Sequence, residues 1–178
     1  REFGVEFLSA GTHPFSTWQS QPITAKERYQ RLVTRMGQPA RQMLIMGTHV
    51  HVGVNSGEKA IAIMNAISYY LPHLLVLSAS SPYSTGSMDS NMASWRLKLF
   101  ESLPTAGLSP RVHNWAEQVR LMRTLINAGA IESIREIWWD VRPHPDFGTV
   151  EVRICDAVST PSEVLMLTAY IQTLVVFL

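Results

Sequence analysis

Two histidines at alternate positions, His49 and His51, lie in the run Thr48-His-Val-His-Val-Gly-Val54. Alternation of this kind marks a strand, whose side chains two apart share a face. Both imidazoles then point into one space with Gly53, while Val50, Val52 and Val54 point the other way. The run Gly148 to Cys155 repeats the design, with Thr149, Glu151, Arg153 and Cys155 opposite Val150, Val152 and Ile154. A third run, Ile137 to Arg142, sets Trp138, Asp140 and Arg142 against Ile137, Trp139 and Val141. Such strands pack helices on their oily side and leave a floor of carboxylates, imidazoles and guanidinium groups on the other. That is the equipment for metal-bound nucleotide phosphates: carboxylates hold Mg²⁺, the metal neutralises phosphate charge, and arginine stabilises the group in transfer.

Each residue also has a plainer reading. A lone His-x-His strand describes surface or hydrogen-bonded core histidines as well, and Glu151 with Arg153 alone describes an ion-pair set on a solvated sheet. Their coincidence on three similar strands favours a site. His13, in Gly11-Thr-His-Pro-Phe15, is either a turn residue or a ligand contact at the exit of a strand. Arg96 reads from spacing alone as a solvated helix residue. Met64, Tyr69, Trp115 and Met122 fall at helical spacing and are assigned to the core, and Cys155 is assigned as an inert buried thiol.

The elements that must position these groups follow from patterning. A strand is expected over Phe3 to Ala10, then the Gly11–Phe15 loop. Thr24 reads as an N-cap with Glu27 three residues on, a capping box opening a helix to about Arg35. Gly37 and Pro39 interrupt it before a second helical stretch, Ala40 to Ile45. The Thr48–Val54 strand precedes a helix from about Glu58 to Ser78, with Ile61, Met64, Ile67, Leu71, Leu74 and Leu75 inward and a bend at Pro72. A loop over Ser80 to Ser90, a helix near Arg96 to Glu101 and a helix from Trp115 to Asn127 come next. The last two strands are joined by Pro143–Phe147, and a final helix starts near Pro161. Together these predict an α+β fold: an antiparallel sheet with helices packed on its apolar face.

The chain has 178 residues with 15 Lys plus Arg against 14 Asp plus Glu, a balance that leaves no electrostatic footprint for nucleic acid or an anionic membrane. The single Cys155 excludes an internal disulfide framework and a Cys-clustered zinc site, so a cytoplasmic location is expected. The apolar run Val164 to Leu178 is too short and too interrupted by polar residues to span a bilayer, and no leader is read at the start. No internal repeat or linker divides the chain. Both ends break off in mid-pattern, as if the chain were part of a longer protein, and the apolar last helix offers an interface for a homo-oligomer.

Gly11-Thr-His-Pro-Phe15, Glu27-Arg-Tyr-Gln30, His49-Val-His-Val-Gly53, Ser78-Ala-Ser-Ser-Pro-Tyr83, Leu103-Pro-Thr-Ala-Gly107 and Trp139-Asp-Val-Arg-Pro143 through Gly148–Arg153 occur in order. In these blocks the chain resembles the type 2 glutamate–cysteine ligases, bacterial carboxylate–amine ligases. The resemblance implies a glutamine synthetase-like catalytic domain, incomplete here, with residues 1–178 a single central fragment of a longer ligase. It implies ATP and Mg²⁺ as cofactors, and as partners L-glutamate and an amine acceptor, cysteine being the eponymous one. The implied route is phosphorylation of the glutamate side-chain carboxylate to an acyl phosphate, then attack by the amine. By the same resemblance Glu151 is the metal-ligand glutamate and Arg153 the arginine at the reacting phosphate or carboxylate. His49 is a nucleotide- or metal-side histidine with His51 beside it. Arg96 is a phosphate contact, and Arg142 and His13 complete the expected catalytic and nucleotide-side sets.

Two other functions compete. A zinc hydrolase would use His49, His51 and Glu151 around an open coordination position, but leaves Arg96, Arg142 and Arg153 without a task. A non-catalytic relative would fold and show no stabilisation by nucleotide.

Overall fold

A computed structural model describes residues 3–4, 8–84 and 91–178. Its strands are β1 (Val50–Gly53), β2 (Ala106–Gly107), β3 (Trp138–Trp139), β4 (Val141–His144) and β5 (Thr149–Val152). Its helices are α1 (Glu27–Met36), α2 (Gln38–Arg41), α3 (Gly57–Ile67), α4 (Leu71–Ser78), α5 (Trp95–Phe100), α6 (Trp115–Asn127) and α7 (Pro161–Phe177). β1, β5 and β4 form an antiparallel sheet in that order, and β2 and β3 form a separate parallel pair. The register aligns Val50, Val152 and Val141 in one row and His51, Glu151 and Arg142 in the next. Because the pleat alternates, each row faces opposite to its neighbour.

The valine rows make the core. Val50, Val141, Val150 and Val152 are buried together with Ile61, Met64, Ile67 and Leu74 of α3 and α4 and with Leu167 and Ile171 of α7. Each such side chain contributes about 1.5–3 kcal/mol on burial. A smaller cluster of Ile131, Ile137 and Trp139 sits beside α6, where Met122 packs against it. The α+β expectation therefore holds, with α3 and α7 lying against the sheet. α7 opens on a capping box in which the Thr160 hydroxyl accepts from the Glu163 N–H and the Glu163 carboxylate accepts from the Thr160 N–H. Among the described residues the run Gly57–Ser78 is long and apolar enough, by length and composition, to cross a membrane. Its inward residues are instead part of the core just described.

Several boundaries differ from expectation for local reasons. α1 starts at Glu27 with Lys26 as an N-cap lacking a side-chain bond, and the Thr24 carbonyl accepts from the Lys26 N–H, so the Thr24 capping box does not form. The second helix is shorter and earlier than expected. Residues beyond it turn extended to make the bridges Thr12–Ile45 and Gly47–Asp156. Pro72 has no N–H to return to the Ser68 carbonyl, and a 3-10 turn at Ser68–Tyr70 separates α3 from α4 there. That turn breaks the helical phase and leaves Tyr69, expected in the core, exposed. Of the first expected strand, Phe3, Gly4 and Leu8–Ala10 are not in a strand, while Val5–Phe7 lie outside the described residues. So do residues 85–90 of the expected Ser80–Ser90 loop.

The expected strand over Ile137 to Arg142 divides in two at Asp140. Trp138–Trp139 pairs with β2, and Val141 onward pairs with β5. Asp140 is the crossing point: its N–H donates to the Gly107 carbonyl at 2.8 Å and its own carbonyl accepts from the Arg153 N–H at 2.8 Å.

Candidate functional site

The polar face of the sheet gathers four of the sequence-predicted residues, Arg142, Arg153, His49 and His51, around the carboxylate of a fifth, Glu151. Glu151 lies between Arg142 and His51 in register, and it is 3% exposed. Arg142 Nε donates to Glu151 Oε2 at 2.7 Å, and Arg153 Nη1 donates to Glu151 Oε1. His49 Nδ1 lies 3.3 Å and His51 Nε2 3.5 Å from the same Oε1. Burial alone would raise the Glu151 carboxyl. The His49 hydrogen bond and the Arg153 and Arg142 guanidinium groups outweigh it and hold the carboxyl well below the usual carboxylate range. The centre is thus an ionised carboxylate clamped by two cations, with two imidazoles at its open edge. Burial lowers the His51 imidazole, partly offset by Glu151. His51 Nδ1 also lies 2.9 Å from Thr149 Oγ1, and its ring meets Phe147 edge-on.

The arginines divide by task. Arg142 is engaged at Nε and Nη1, since Nη1 also donates to the carbonyls of Ile134 and Ile137. Arg96 is 2% exposed, far from the solvated residue its spacing suggested. Its Nη1 and Nη2 donate to the carbonyls of Ile154 and Arg153, each at 3.0 Å, and its Nη1 lies 3.9 Å from Asp156. Arg153 spends Nη1 on Glu151, with His49 Nδ1 at 3.5 Å. Arg96, Arg153 and His49 line one cavity of about 260 Å³ that α1 and α5 wall in. Gly47 lies against Arg96 with no room for a side chain: a Cβ there would come within 2.4 Å of Arg96 Nη2.

His13 is not brought to this cluster. Its Nδ1 accepts from the Ser16 N–H at 3.0 Å, and it lines a separate cavity of about 150 Å³ with Trp18, Tyr83 and Trp95. Cys155 is fully buried, as expected, and burial raises its thiol.

Two acidic residues were not singled out as site residues by sequence reasoning. Asp156, 0% exposed, accepts from Ser80 N–H, Ser81 Oγ and Ser94 Oγ at 3.0, 2.7 and 2.9 Å. It thereby fastens the Ser78-Ala-Ser-Ser segment, and through Ser81 Oγ the backbone of Arg96, behind the site. Asp140, 5% exposed, keeps Oδ1 without a partner among the described residues, and burial pushes its carboxyl up to about 6 against the pull of Arg96. The only sequence signal for Asp140 was its place beside Arg142 on the polar face.

As a metal site the chain is partial. Glu151 and His49 supply two adjacent donors, and both Glu151 oxygens already accept from guanidinium groups. Among the described residues no group of three or more His, Cys, Asp or Glu side chains is arranged to hold an ion. These residues do not by themselves fit Mg²⁺ or zinc, and either metal would need ligands from elsewhere. What the arrangement does offer is rigid cationic donors beside an open-sided cavity, suited to an anion or a carboxylate.

Comparison with known proteins is consistent along the whole chain. The family model described as "Glutamate-cysteine ligase family 2" matches residues 1–178. The chain is 52% identical over 177 residues to the "Putative glutamate--cysteine ligase 2" of Gloeobacter violaceus, covering 99% of this chain and 47% of that protein. It is 54% identical over 172 residues to the "Putative glutamate--cysteine ligase 2-1" of Frankia alni, covering 97% and 45%. A relative from Thermobifida fusca, also printed as "Putative glutamate--cysteine ligase 2", is 49% identical over 172 residues, covering 97% and 43%. The chain spans less than half the length of these relatives.

Proposed function

The chain belongs to glutamate–cysteine ligase family 2, and from that premise we propose that it carries the carboxylate- and phosphate-handling part of an ATP-dependent carboxylate–amine ligase with a glutamine synthetase-like domain. The observation that supports this most is the Glu151 carboxylate clamped by Arg142 and Arg153 beside His49 and His51, on a sheet floor that opens to a cavity lined by Arg96 and Arg153.

The reaction has two displacements. A glutamate γ-carboxylate oxygen attacks the γ-phosphorus of ATP and the bond to ADP breaks, giving the acyl phosphate. The amine nitrogen then attacks the carbonyl carbon. The C–N bond forms, the C–O bond to phosphate breaks with its electron pair leaving on phosphate, and the nitrogen's proton passes to solvent. Both steps gather negative charge at one place, and prepositioned guanidinium groups stabilise it without reorganising. Arg153 is the donor for that charge, because Nη2 remains after Nη1 is spent on Glu151, whereas the unpaired Nε is fully buried. Glu151 and Arg142 hold Arg153 in place, and His49 stands at the open edge as the nucleotide-side contact. Arg96 supports Arg153 through its carbonyl and adds positive charge to the cavity wall. Mg²⁺ is expected to arrive with ATP, and no step above is routed through it. L-glutamate and an amine acceptor are the substrates of this reading, in the cytoplasm. The zinc hydrolase is disfavoured by the two arginines that occupy the Glu151 oxygens.

The test is ADP release by the intact protein with Mg-ATP, L-glutamate and a set of amines including L-cysteine. Turnover that requires both glutamate and an amine is expected. Arg153→Lys is expected to lower kcat by about 10²–10³-fold, as for loss of one transition-state donor, while the circular dichroism spectrum stays that of the parent. ATP-independent hydrolysis, or a folded protein that releases no ADP with any amine, would sink the reading.

A further inference from the structure

α1 is attached to the rest of the chain in a different way from the helices that pack on the sheet. Its Leu32, Val33 and Met36 are half-buried and its other described side chains are exposed. α3, of similar length, buries Ala60, Ile61, Ile63, Met64 and Ile67. What ties α1 down is a polar set along its outer side. Arg35 Nη1 lies 2.8 Å from Glu136 Oε2 and 3.9 Å from Glu132, Arg31 Nη1 lies 3.8 Å from Glu132, and Arg35 Nη2 donates to the Ala130 carbonyl at 3.0 Å. Surface pairs of this kind each contribute little and are screened by salt.

Beneath the helix there is space in place of packing. Leu32 and Trp138 line both the cavity of about 260 Å³ and a second one of about 110 Å³, which Met36, Pro104 and Glu136 also bound. Protein interiors carry few voids larger than a water molecule, so the underside of α1 is not locked by interdigitation. Its C-terminal end is a pivot. Gly37 has φ +64° and ψ −130°, a conformation open to glycine, and nothing lies within 4 Å of where its Cβ would be.

A weak polar latch, a glycine pivot and unfilled space below are the parts of a cover. We propose that α1 is a hinged cover over the cavity lined by Arg96 and Arg153: released at Arg31 and Arg35 it swings on Gly37 to admit an anionic substrate, and latched it closes the cavity to water. The movement stands apart from the ligase reading above; its use rests on that reading. Water that reaches an acyl phosphate wastes it. The water oxygen attacks the carbonyl carbon, the C–O bond to phosphate breaks with its electron pair leaving on phosphate, the water's proton passes to solvent, and glutamate returns with no amide formed.

Hydrogen exchange of the intact protein reads the movement. Amides of residues 27–36 are expected to exchange about tenfold or more faster than those of 60–67. Arg35→Gln is expected to speed the α1 amides about fivefold further, and Glu132→Gln, which keeps Arg35 on Glu136, about twofold, with the α3 amides unmoved. Raising NaCl from about 0.05 to about 0.5 M should speed α1 exchange in the parent and leave Arg35→Gln nearly as it was. In the ADP-release assay, ADP formed per amide bond should rise from about one in the parent to about two or more in Arg35→Gln. α1 amides as slow as those of α3, or equal α1 exchange in the parent and both variants, would overturn the cover while the ligase stands. So would an unchanged ratio of ADP to amide in an Arg35→Gln enzyme that turns over. Fast, salt-sensitive, Arg35-dependent α1 exchange in a protein that releases no ADP with any amine upholds the cover and removes the ligase.

Discussion

Asp140 and Asp156 are two buried carboxylates near the same guanidinium, that of Arg96, and they are treated in opposite ways. Asp156 is saturated by one backbone N–H and two serine hydroxyls, with Arg96 beside it. Asp140 lies in the same electrostatic neighbourhood with one oxygen unpaired. A saturated buried charge is architecture: it fixes one arrangement of the segments that meet on it. An unsaturated one is a cost the fold carries, and costs of this kind collect where something else is meant to bind.

The sharpest way to break that contrast is to delete each acid in turn. Asp156→Ala removes the acceptor for three donors and the partner of a fully buried arginine. It is expected to destabilise the intact protein by ~3–5 kcal/mol, measured by urea denaturation. A loss under about 1 kcal/mol would mean that the serine segment is fastened some other way.

Asp140→Asn should behave in the other sense. The Asp140 carboxyl is raised to about 6 from an ordinary 3.8, so the folded state holds this proton more tightly than the unfolded chain. Its contribution is therefore full below pH 4 and is lost as pH rises through 6. At pH 7.5 the Asn variant is expected to gain on the order of 2–3 kcal/mol relative to the parent, a difference that vanishes by pH 4. Glu151 slopes the opposite way. Held low by its partners, its stabilisation is complete above the ordinary carboxylate range and is lost as pH falls below it. Urea curves at pH 4, 6 and 7.5 check both signs, and a flat difference between parent and Asp140→Asn would erase the distinction between the two aspartates.

Gly47→Ala is the smallest perturbation. The new methyl must displace a guanidinium pinned by two carbonyls, for an expected loss of about 1–3 kcal/mol. Because Arg96 moves and Arg96 supports Arg153, glutamate-dependent ADP release should fall with it. Unchanged turnover in the ADP-release assay would separate Arg96 from the reacting site.

Alternation makes the central row legible in the sequence itself. Val50, Val141, Val150 and Val152 had to face one way, and His51, Arg142 and Glu151 the other, because a strand's period is fixed by its backbone. Pairing was not legible. That the three polar residues stand side by side depends on register, which the hairpin between β4 and β5 and the packing of α3 and α7 determine together. Asp140 escaped for a related reason. A single strand over Ile137 to Arg142 satisfied the pattern, and only the distant carbonyl of Gly107 reveals that the chain changes sheets there. Spacing alone makes Arg96 look solvated because its partners are main-chain carbonyls, which leave no trace in side-chain spacing. Thr24 carried a capping signature that the backbone did not use, a reminder that local preference yields to what the flanking segment must do.

The unequal sequence separations within the Glu151 cluster also imply an order of assembly. Arg142 and Glu151 are nine residues apart across a tight hairpin, whereas His49 and Arg153 are 104 apart and His51 and Thr149 98 apart. Closing the short loop is entropically cheap, and closing the long one requires most of the chain to be gathered first. The clamped ion pair can thus exist early, while the histidines dock only when β1 is laid against β5. A substitution in the intervening residues that belongs to the folding nucleus is therefore expected to delay the histidines more than the ion pair, even from a place remote from every charged group.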